Sequence, residues 1–254
     1  MLQLAIVRRS VAWVSRDRET RGWVHRYRAG TVVSPTPRGL TLGAIRANAR
    51  DVFFHGYVPQ AGDVVVEIGA EYGTETVVLS PAVGPAGRVI AIEAHPWTCS
   101  LLERTVQLNN LANVTALNAA VVGVHGRVMI EDAVDAHMVS NSVMTNRGTV
   151  EVDGLTLDEV VERFGITCID LLKVNIEGAE RDLFEGATRS MRMVRHAVIS
   201  CHDFKADAGQ GEVFRTGPVV DAALERLGWD VTRRPDDPRP WVRHYRYATN
   251  PAPI

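Results

Sequence analysis

The feature that most constrains the fold is the alternation of short apolar runs with longer amphipathic segments after residue 57. The first run, residues 64–68, is rich in valine, which is typical of a strand buried on both faces of a parallel sheet. Seven runs are predicted as strands: residues 64–68, 88–93, 114–117, 169–174, 196–200, 229–233 and 242–248. Five intervening segments are predicted as helices: residues 74–82, 96–109, 156–164, 179–187 and 218–227. This alternation predicts a doubly wound, Rossmann-like α/β sheet with helices on both faces.

The segments outside this alternation are an N-terminal arm and an irregular insertion. Two apolar stretches, residues 2–14 and 23–33, flank a polar run, and this pattern predicts a β-hairpin. A linker rich in proline follows, so we divide the chain into an N-terminal β arm (residues 1–56) and a main domain (residues 57–254). We expect the apolar arm to cover the carboxyl edge of the sheet or to form a homo-oligomer. Residues 121–152 are expected to be irregular, with short strands.

Composition and cysteine spacing argue against several classes of protein. The 254 residues are 46% hydrophobic and 23% charged, as in ordinary globular domains. No run reaches the roughly 20 apolar residues that a membrane helix needs. The basic pair Arg8 and Arg9 follows the first apolar run, whereas a secretory signal begins with its charges. The three cysteines are far apart, which indicates neither a disulfide framework nor a zinc site. We therefore expect a cytoplasmic protein that does not bind membranes.

A glycine-containing loop and an acidic residue form the first candidate binding motif. Residues 67–73 read Glu-Ile-Gly-Ala-Glu-Tyr-Gly and join the first strand of the sheet to its helix. Gly69 and Gly73 allow a tight turn and a close approach of the backbone to a ligand. The following helix presents free N–H groups at its start. Glu93 ends the second strand, where a carboxylate can accept both hydroxyls of a ribose.

The details of this loop favour S-adenosylmethionine over NAD as the cofactor. A dinucleotide-binding loop has the spacing G-x-G-x-x-G, which lets a pyrophosphate approach the middle glycine. Here the glycines are four residues apart, and Glu71 between them would repel a pyrophosphate. Glu67 and Glu71 suit instead the cationic sulfonium and amino groups of adenosylmethionine. The predicted cofactor-binding residues are Glu67, Gly69, Glu71, Tyr72, Gly73, Glu93, Ala94, Asn118 and Asn175.

A polar row at the end of the fourth strand is the second candidate motif. Lys173, Asn175 and Glu177 alternate, which places them on one side of an extended segment next to the first strand. Buried polar groups need a partner or a function, so we predict that these side chains face the transferable methyl group. The alternative is structural: a Lys–Glu ion pair forms, and Asn175 caps the next helix.

His202 follows the fifth strand and is the predicted general base. A histidine there can take a proton from a hydroxyl near neutral pH, although a structural hydrogen bond is the alternative. The predicted catalytic residues are His202, Glu177, Asn175 and Lys173. Cys201, His202 and Asp203 are adjacent in a segment predicted as extended, so they cannot all face one ion. No metal is predicted, and magnesium would require Asp203, Glu177 and Glu180 to meet.

The chain resembles the FkbM-type methyltransferases over residues 52–204. The matching segments are residues 62–70, 93–96, 156–159 and 172–180, and the last of them holds the specific signature K-x-D-x-E-G-x-E. The resemblance implies a class I methyltransferase fold, a histidine after the fifth strand, and O-methylation of a small-molecule hydroxyl. The acceptors of such enzymes are often sugars or polyketides of secondary metabolism.

Three positions depart from the pattern of that family. Glu67, Glu71 and Asn175 stand where the family usually has Asp, Asn and Asp. Asn175 removes a carboxylate from the presumed reaction centre. That change leaves open a different substrate, a base from another part of the chain, or a weakened enzyme.

Two other functions remain open on the residues alone. Residues 1–60 have ten arginines against three acidic residues, and a basic arm would suit a nucleic acid. Methyltransferases of exocyclic base nitrogens commonly have an N-P-P-Y turn after the fourth strand, whereas Glu177 in this turn would repel phosphate. A cofactor-binding module with weakened catalysis is the other alternative, because of Asn175. The sequence therefore favours a small-molecule hydroxyl acceptor and no nucleic acid.

Overall fold

The structure, a computed structural model, describes residues 3–7, 10–132 and 149–254, so the predicted irregular stretch 121–152 lies partly outside it. The strands of these ranges are β1 (Gln3–Val7), β2 (Ser10–Arg16), β3 (Trp23–Tyr27), β4 (Gly30–Ser34), β5 (Val64–Ile68), β6 (Arg88–Glu93), β7 (Val114–Asn118), β8 (Ala120–Val121), β9 (Gly126–Ile130), β10 (Val150–Leu155), β11 (Ile169–Val174), β12 (Val194–Ser200), β13 (Asp230–Thr232) and β14 (Tyr245–Thr249). The α-helices are α1 (Leu42–Asn48), α2 (Thr76–Val83), α3 (Pro96–Leu108), α4 (Leu157–Arg163), α5 (Glu180–Leu183), α6 (Asp203–Asp207) and α7 (Gly217–Arg226).

Seven strands form one sheet in the order β7-β6-β5-β11-β12-β14-β13. The first five strands in this order, β7, β6, β5, β11 and β12, are parallel to one another. The sixth, β14, runs antiparallel to both of its neighbours, β12 and β13. The reversal occurs because residues 233–244 contain a single 3₁₀ turn in place of the crossover helix that a parallel strand needs. The predicted seven-stranded, doubly wound fold is therefore confirmed, and one of its seven strands, β14, is antiparallel.

Helices cover both faces of this sheet, as the apolar runs predict. One core cluster joins the sheet to α4, α5 and α7 through Leu157, Leu183 and Val220, and the opposite cluster joins it to α1, α2 and α3. All six residues of β11 are buried. Burying each large aliphatic side chain contributes about 1.5–3 kcal/mol, so this central strand is a rigid base for the residues that follow it.

The helix boundaries follow local signals where those signals exist. Thr156 caps α4: the Glu159 N–H donates to its hydroxyl (3.2 Å), and its own N–H donates to the Glu159 carboxylate (2.8 Å). The predicted helix 179–187 is shorter, because Gly186 packs against the Val122 carbonyl and the chain turns there. The prediction of an extended segment at residues 201–203 is wrong from Asp203 onward, where the five residues of α6 begin. Tertiary contacts stabilise so short a helix, and sequence periodicity does not reveal them.

The N-terminal strands form a separate antiparallel sheet in the order β1-β2-β3-β4. The sheet packs against α3: the N–H of Val33 donates to the Thr105 hydroxyl (2.9 Å), and the indole of Trp97 donates to the Thr20 carbonyl (2.8 Å). Each of the two apolar stretches of the arm thus folds as its own hairpin, one more than the single hairpin predicted. That the arm covers the carboxyl edge of the main sheet, or joins two copies of the chain, stays a prediction.

A third sheet flanks the carboxyl edge of the main sheet. Its strand order is β8-β10-β9, and its apolar side chains Ala120, Ile130 and Val152 form a small cluster against Ala94. This sheet extends the wall at the ends of β6 and β7. Among the described helices, none is long and apolar enough to cross a membrane.

Candidate active site

The loop between β5 and α2 turns through three residues in the left-handed backbone region. Gly69, Glu71 and Gly73 have φ angles of 73°, 50° and 90°. The N–H of Gly69 donates to the Ile92 carbonyl (2.9 Å), which ties the loop to β6. A Cβ at position 69 would lie 1.9 Å from the Asn175 carbonyl oxygen, so only glycine fits there. The loop is therefore held between the ends of β6 and β11.

Lys173 lies behind this loop and not in front of it. Its side chain is 2% exposed, and its ammonium donates to the Gly69 carbonyl at 2.6 Å. The ammonium is 3.5 Å from the Glu67 carboxylate and 4.0 Å from that of Glu75, and it lies 5.3 Å from the centre of the Phe53 ring. Lys173 therefore forms a buried ion pair, as the structural alternative predicts. Its partners are Glu67 and Glu75 and not Glu177.

Two glutamates near Lys173, Glu67 and Glu71, have raised pKa values. Burial raises the pKa of Glu67 to about 7, against the opposing effect of Lys173. Burial and the Glu75 carboxylate raise the pKa of Glu71 to about 8. Burial lowers the pKa of the Lys173 ammonium, but the surrounding glutamates outweigh burial and raise that pKa. The cluster holds one fixed cation and retains protons at neutral pH, so a cationic ligand would favour ionisation of these carboxyls.

Glu93 ends β6 with its carboxylate fixed by the backbone. The N–H of Glu71 donates to one oxygen (3.0 Å) and the N–H of His95 donates to the other (2.9 Å). Burial raises the pKa of Glu93, and these two N–H groups limit the rise. Two hydrogen bonds from different elements leave the carboxylate one orientation, with its remaining lone pairs available to ligand hydroxyls.

These elements line an open cleft at the carboxyl ends of the central strands, with a volume of about 570 Å³ when the space open to solvent is included. Its lining combines acidic and amide side chains with small and apolar residues. The lining residues are Ile68, Gly69, Glu71, Ile92, Glu93, Ala94, Ala119, Ala120, Val121, Asn175, Ile176, Glu177 and Ala179. Ligands of doubly wound folds bind at this edge, at the point between β5 and β11 where the strand order reverses.

Asn175 and Glu177 stand on one wall of this cleft. The N–H of Asn175 donates to the Ile68 carbonyl (3.0 Å), so the pairing of β11 with β5 continues one residue past the strand. Glu177 has a φ of 55°, a conformation that costs free energy for any residue with a Cβ. Asn175 does not cap α5, whose N-cap residue is Ala179.

His202 lies beneath the Glu177 side of the cleft, where it is 2% exposed. Its Nδ1 is 2.8 Å from the Glu180 carboxylate, and its Nε2 is 3.6 Å from that of Glu177. Burial lowers the pKa of His202, but the two carboxylates outweigh burial and raise it to about 10. The ring is an imidazolium at neutral pH, and this geometry does not suit the predicted general base, since the base must begin without its proton.

Glu177 differs from the other glutamates of the cleft. Burial favours its neutral form, but His202 and Lys205 outweigh burial and lower the pKa of Glu177 to about 2. The carboxylate is therefore ionised across the physiological range. It can accept a hydrogen bond, but it is a weak proton acceptor.

The structure brings together part of the predicted set. The predicted residues that line the cleft are Gly69, Glu71, Glu93, Ala94, Asn175 and Glu177. Glu67, Lys173 and His202 lie behind its walls. Tyr72 packs between two apolar clusters and a Cβ at Gly73 would meet Leu102, so both face α3 and the arm. Asn118 donates to the backbone carbonyls of Glu93 and Ala94 and supports the strand that holds Glu93.

Two residues of this region are absent from the predicted site, because the sequence reasoning names Glu180 only as a possible magnesium ligand and gives Lys205 no role. Glu180 is completely buried and accepts hydrogen bonds from the N–H groups of Ile176 and Gly178. Lys205 is 6% exposed and contacts the Glu177 carboxylate. The signature K-x-D-x-E-G-x-E ends on Glu180 and was a signal for it. For Lys205 the signal was composition, because the chain has two lysines among 28 basic residues.

The described part of the chain holds no cluster of three or more metal-ligating side chains. Asp203 accepts a hydrogen bond from the Gly217 N–H (2.9 Å). Among the three residues that magnesium would need, Glu177 and Glu180 are held by the His202 ring.

The fold and the cleft define a class I S-adenosylmethionine-dependent methyltransferase. Comparison with protein-family models matches residues 67–245 to the methyltransferase FkbM domain. The chain belongs to the FkbM methyltransferase family, so the resemblance found from the sequence is confirmed.

Curated relatives have the same general activity in their names. The chain is 25% identical over 202 residues to methyltransferase sdnD of Sordaria araneosa, which covers 66% of this chain and 74% of that protein. It is 23% identical over 187 residues to methyltransferase 1 of Beauveria bassiana strain ARSEF 2860, with coverage of 65% and 75%. Both names support a methyltransferase and say nothing of the acceptor.

A solved structure supports the fold. The methyltransferase FkbM of Methylobacillus flagellatus KT aligns with a TM-score of 0.52 at 17% identity, over 80% of this chain. The chain spans 50% of the length of that structure. At this identity the likeness concerns the fold alone.

Proposed function

We propose that the chain transfers a methyl group from S-adenosylmethionine to a hydroxyl of a small molecule, such as a sugar or a polyketide-type metabolite. The observation that supports this proposal is the shared cleft: Asn175 and Glu177 line the same cavity as Glu71 and Glu93. Residues suited to an adenosine cofactor and residues suited to a hydroxyl acceptor therefore line the same cleft.

The residues of the cleft fit adenosylmethionine. Glu93 offers two fixed acceptor oxygens, the number that the vicinal hydroxyls of a ribose require. The small residues Ala119 and Ala120 line the cleft and would not obstruct a planar base. Glu71 suits a cationic amino group, and Gly69 lets the loop lie against the Asn175 carbonyl, which brings the two walls of the cleft together. When bound, adenosylmethionine supplies an electrophilic methyl group on its sulfonium.

Asn175 and Glu177 are the residues we assign to the acceptor. The Asn175 amide can donate and accept, so it can orient a hydroxyl without taking its proton. The ionised Glu177 can accept a hydrogen bond from the same hydroxyl. This hydrogen bond would orient the hydroxyl so that a lone pair of its oxygen points toward the methyl group. Because Glu177 is a weak base and His202 already holds a proton, the hydroxyl proton leaves to solvent as the oxygen–carbon bond forms and the sulfur–carbon bond breaks.

The test is product identification with adenosylmethionine that has a trideuterated methyl group. The protein is incubated with a panel of sugars and aromatic or aliphatic polyketide alcohols, with amines and with RNA. We expect a trideuterated methyl ether on one class of alcohol, detected by mass spectrometry and NMR. Label found on nitrogen, or on RNA alone, would contradict the proposed acceptor.

Adenosylmethionine binding is expected to release a proton from Glu71. The raised pKa of about 8 keeps this carboxyl protonated in the free protein at pH 7, and pairing with the ligand's amino group would lower that pKa. Affinity should therefore rise with pH until about 8 and then level off. Titration calorimetry at pH 7 in buffers of different ionisation enthalpy measures the released proton. We expect Glu71→Gln to abolish the buffer dependence, and an observed enthalpy that is the same in every buffer would reject this assignment.

A further inference from the structure

The two lysines of the chain are both buried next to the cleft. The chain has 28 lysine and arginine residues, and Lys173 and Lys205 are the only lysines. Their exposures are 2% and 6%, and each contacts glutamates that belong to the cleft or lie behind it. A lysine ammonium is a compact point charge on a flexible stem, which suits it to a small buried site better than a planar guanidinium. Lys205 has no role in the function proposed above.

Lys205 holds one oxygen of Glu177 while His202 holds the other. The Lys205 ammonium contacts Oε2 of Glu177, and Nε2 of His202 is 3.6 Å from Oε1. The aliphatic stem of Lys205 is buried, and its ammonium is 5.0 Å from the centre of the Phe214 ring. Two cations, Lys205 on α6 and His202 at the end of β12, thus contact the carboxylate of Glu177, which follows β11.

A second carboxylate fixes the histidine. Nδ1 of His202 is 2.8 Å from Glu180, whose oxygens in turn accept the N–H groups of Ile176 and Gly178 at 3.2 and 3.1 Å. A continuous set of contacts therefore runs from the backbone of the 176–178 turn through Glu180 and His202 to the Glu177 side chain. That turn begins with the left-handed Glu177, a conformation that persists only where the surroundings fix it.

We propose that Lys205 and His202 are positioning residues, which hold the Glu177 carboxylate ionised and in one orientation on the acceptor wall of the cleft. This proposal rests on the proposed function, in which Glu177 contacts the acceptor. Among the described residues, the titratable groups that face Glu177 are His202 at the end of β12, Lys205 on α6 and Glu71 on the loop after β5, and Glu71 retains its proton below about pH 8. Burial favours the neutral form of Glu177, so removing either cation leaves the buried carboxylate less compensated and it takes up a proton at a higher pH.

The kinetic test is the pH profile of kcat for Lys205→Met and His202→Gln. Turnover is followed as adenosylhomocysteine formation, which does not depend on the acceptor being an alcohol. We expect the wild type to be flat down to about pH 5, and each variant to lose activity below about pH 6–7 as Glu177 becomes protonated. At pH 6 kcat should fall about 2- to 10-fold, the loss expected when half to nine-tenths of the carboxyl is protonated, with the KM for adenosylmethionine changed less than about threefold.

Three matched variants separate positioning from general damage. Lys205→Arg keeps a cation and should keep the acid limb close to that of the wild type. Arg215→Met removes an exposed cation on the segment that follows α6. Because Arg215 pairs with Asp207 and Glu212 and not with Glu177, this variant should leave the pH profile of kcat unchanged. Lys205→Met combined with Glu177→Gln should show no acid limb, because the titrating carboxyl is gone.

The protonation state of His202 gives a readout that needs no acceptor. In NMR spectra of protein with labelled histidines, we expect the His202 ring to stay protonated at pH 8 and to titrate at lower pH in Glu177→Gln. A neutral His202 ring at pH 7, or an acid limb that does not move in a folded Lys205→Met, would overturn the proposal. Label on an acceptor other than an alcohol would overturn the proposed function while leaving these two readouts decisive for Lys205 and His202.

Discussion

Replacing Gly69 with alanine is expected to abolish detectable adenosylmethionine binding and to lower the melting temperature sharply. The added Cβ would lie 1.9 Å from the Asn175 carbonyl oxygen, so the loop or the end of β11 must move. Both elements line the cleft, and the movement would displace Glu71 and Asn175 together. Titration calorimetry with adenosylmethionine and thermal unfolding by circular dichroism measure the two effects.

Gly228→Ala is the matched control for this substitution. Gly228 has a φ of 71°, against 73° for Gly69, but an added Cβ would meet no atom within 4 Å. Both variants share the cost of a left-handed alanine, about 1–2 kcal/mol, and differ in the clash. Gly228→Ala should therefore bind adenosylmethionine normally. Equal losses in the two variants would show that backbone conformation alone, and not the close approach to β11, accounts for the effect.

Lys173→Met is expected to destabilise the protein by about 3–5 kcal/mol at neutral pH, the usual cost of removing one partner of a buried ion pair. The variant leaves Glu67 completely buried, with its compensating cation 3.5 Å away removed. It also removes the donor to the Gly69 carbonyl, so the binding loop loses its support. Urea denaturation measures the free energy of unfolding.

The loss of stability caused by Lys173→Met should depend on pH in a defined direction. The pKa of Glu67 in the folded wild type is already raised to about 7, and loss of Lys173 raises it further. A group whose folded pKa is raised favours the folded state at low pH and loses that contribution as pH rises through the folded pKa. Lys173→Met should therefore be less destabilised at about pH 5.5 than at about pH 8.5.

A second substitution tests this explanation. Glu67→Gln added to Lys173→Met removes the buried charge while keeping an oxygen that can accept the Thr76 hydroxyl, now donated to Glu67 at 2.6 Å. We expect it to recover much of the lost stability and to remove the pH dependence. Arg127→Met, which breaks an exposed ion pair with Glu151, should leave the melting temperature nearly unchanged. A double variant no more stable than Lys173→Met would contradict the role given to the ion pair.

The main sheet was predictable because its information is local. Four of the five residues 64–68 are apolar and they occupy both faces, as is typical of a central parallel strand that is buried on both sides. Thr156 and Glu159 likewise predict the start of α4 from four consecutive residues. The lack of an α-helix in the described residues 233–244, between β13 and β14, was a local signal for the antiparallel direction of β14. The existence of α6 depends on how distant segments pack, so no periodicity within it indicates this helix.

The sequence predicted which residues lie at the site better than it predicted their protonation states. The strand ends locate Glu93, Asn175 and Glu177 correctly on one edge, because parallel strands end together. The state of His202 could not be read from the sequence, since it depends on Glu180 22 residues earlier in the chain. The rule that a histidine titrates near neutral pH fails here because two carboxylates surround the ring.

The measurement that tests the central claim most directly is titration calorimetry of adenosylmethionine and NAD into the wild type and Glu93→Ala. We expect one adenosylmethionine per chain in the wild type, no binding of NAD, and a loss of about 100-fold in Glu93→Ala. The loss corresponds to about two charge-assisted hydrogen bonds to the ribose. Glu103→Gln, an exposed glutamate of α3, is the control and should bind as the wild type does. Binding of NAD to the wild type, or unchanged affinity for adenosylmethionine in Glu93→Ala, would contradict the assignment of this cleft.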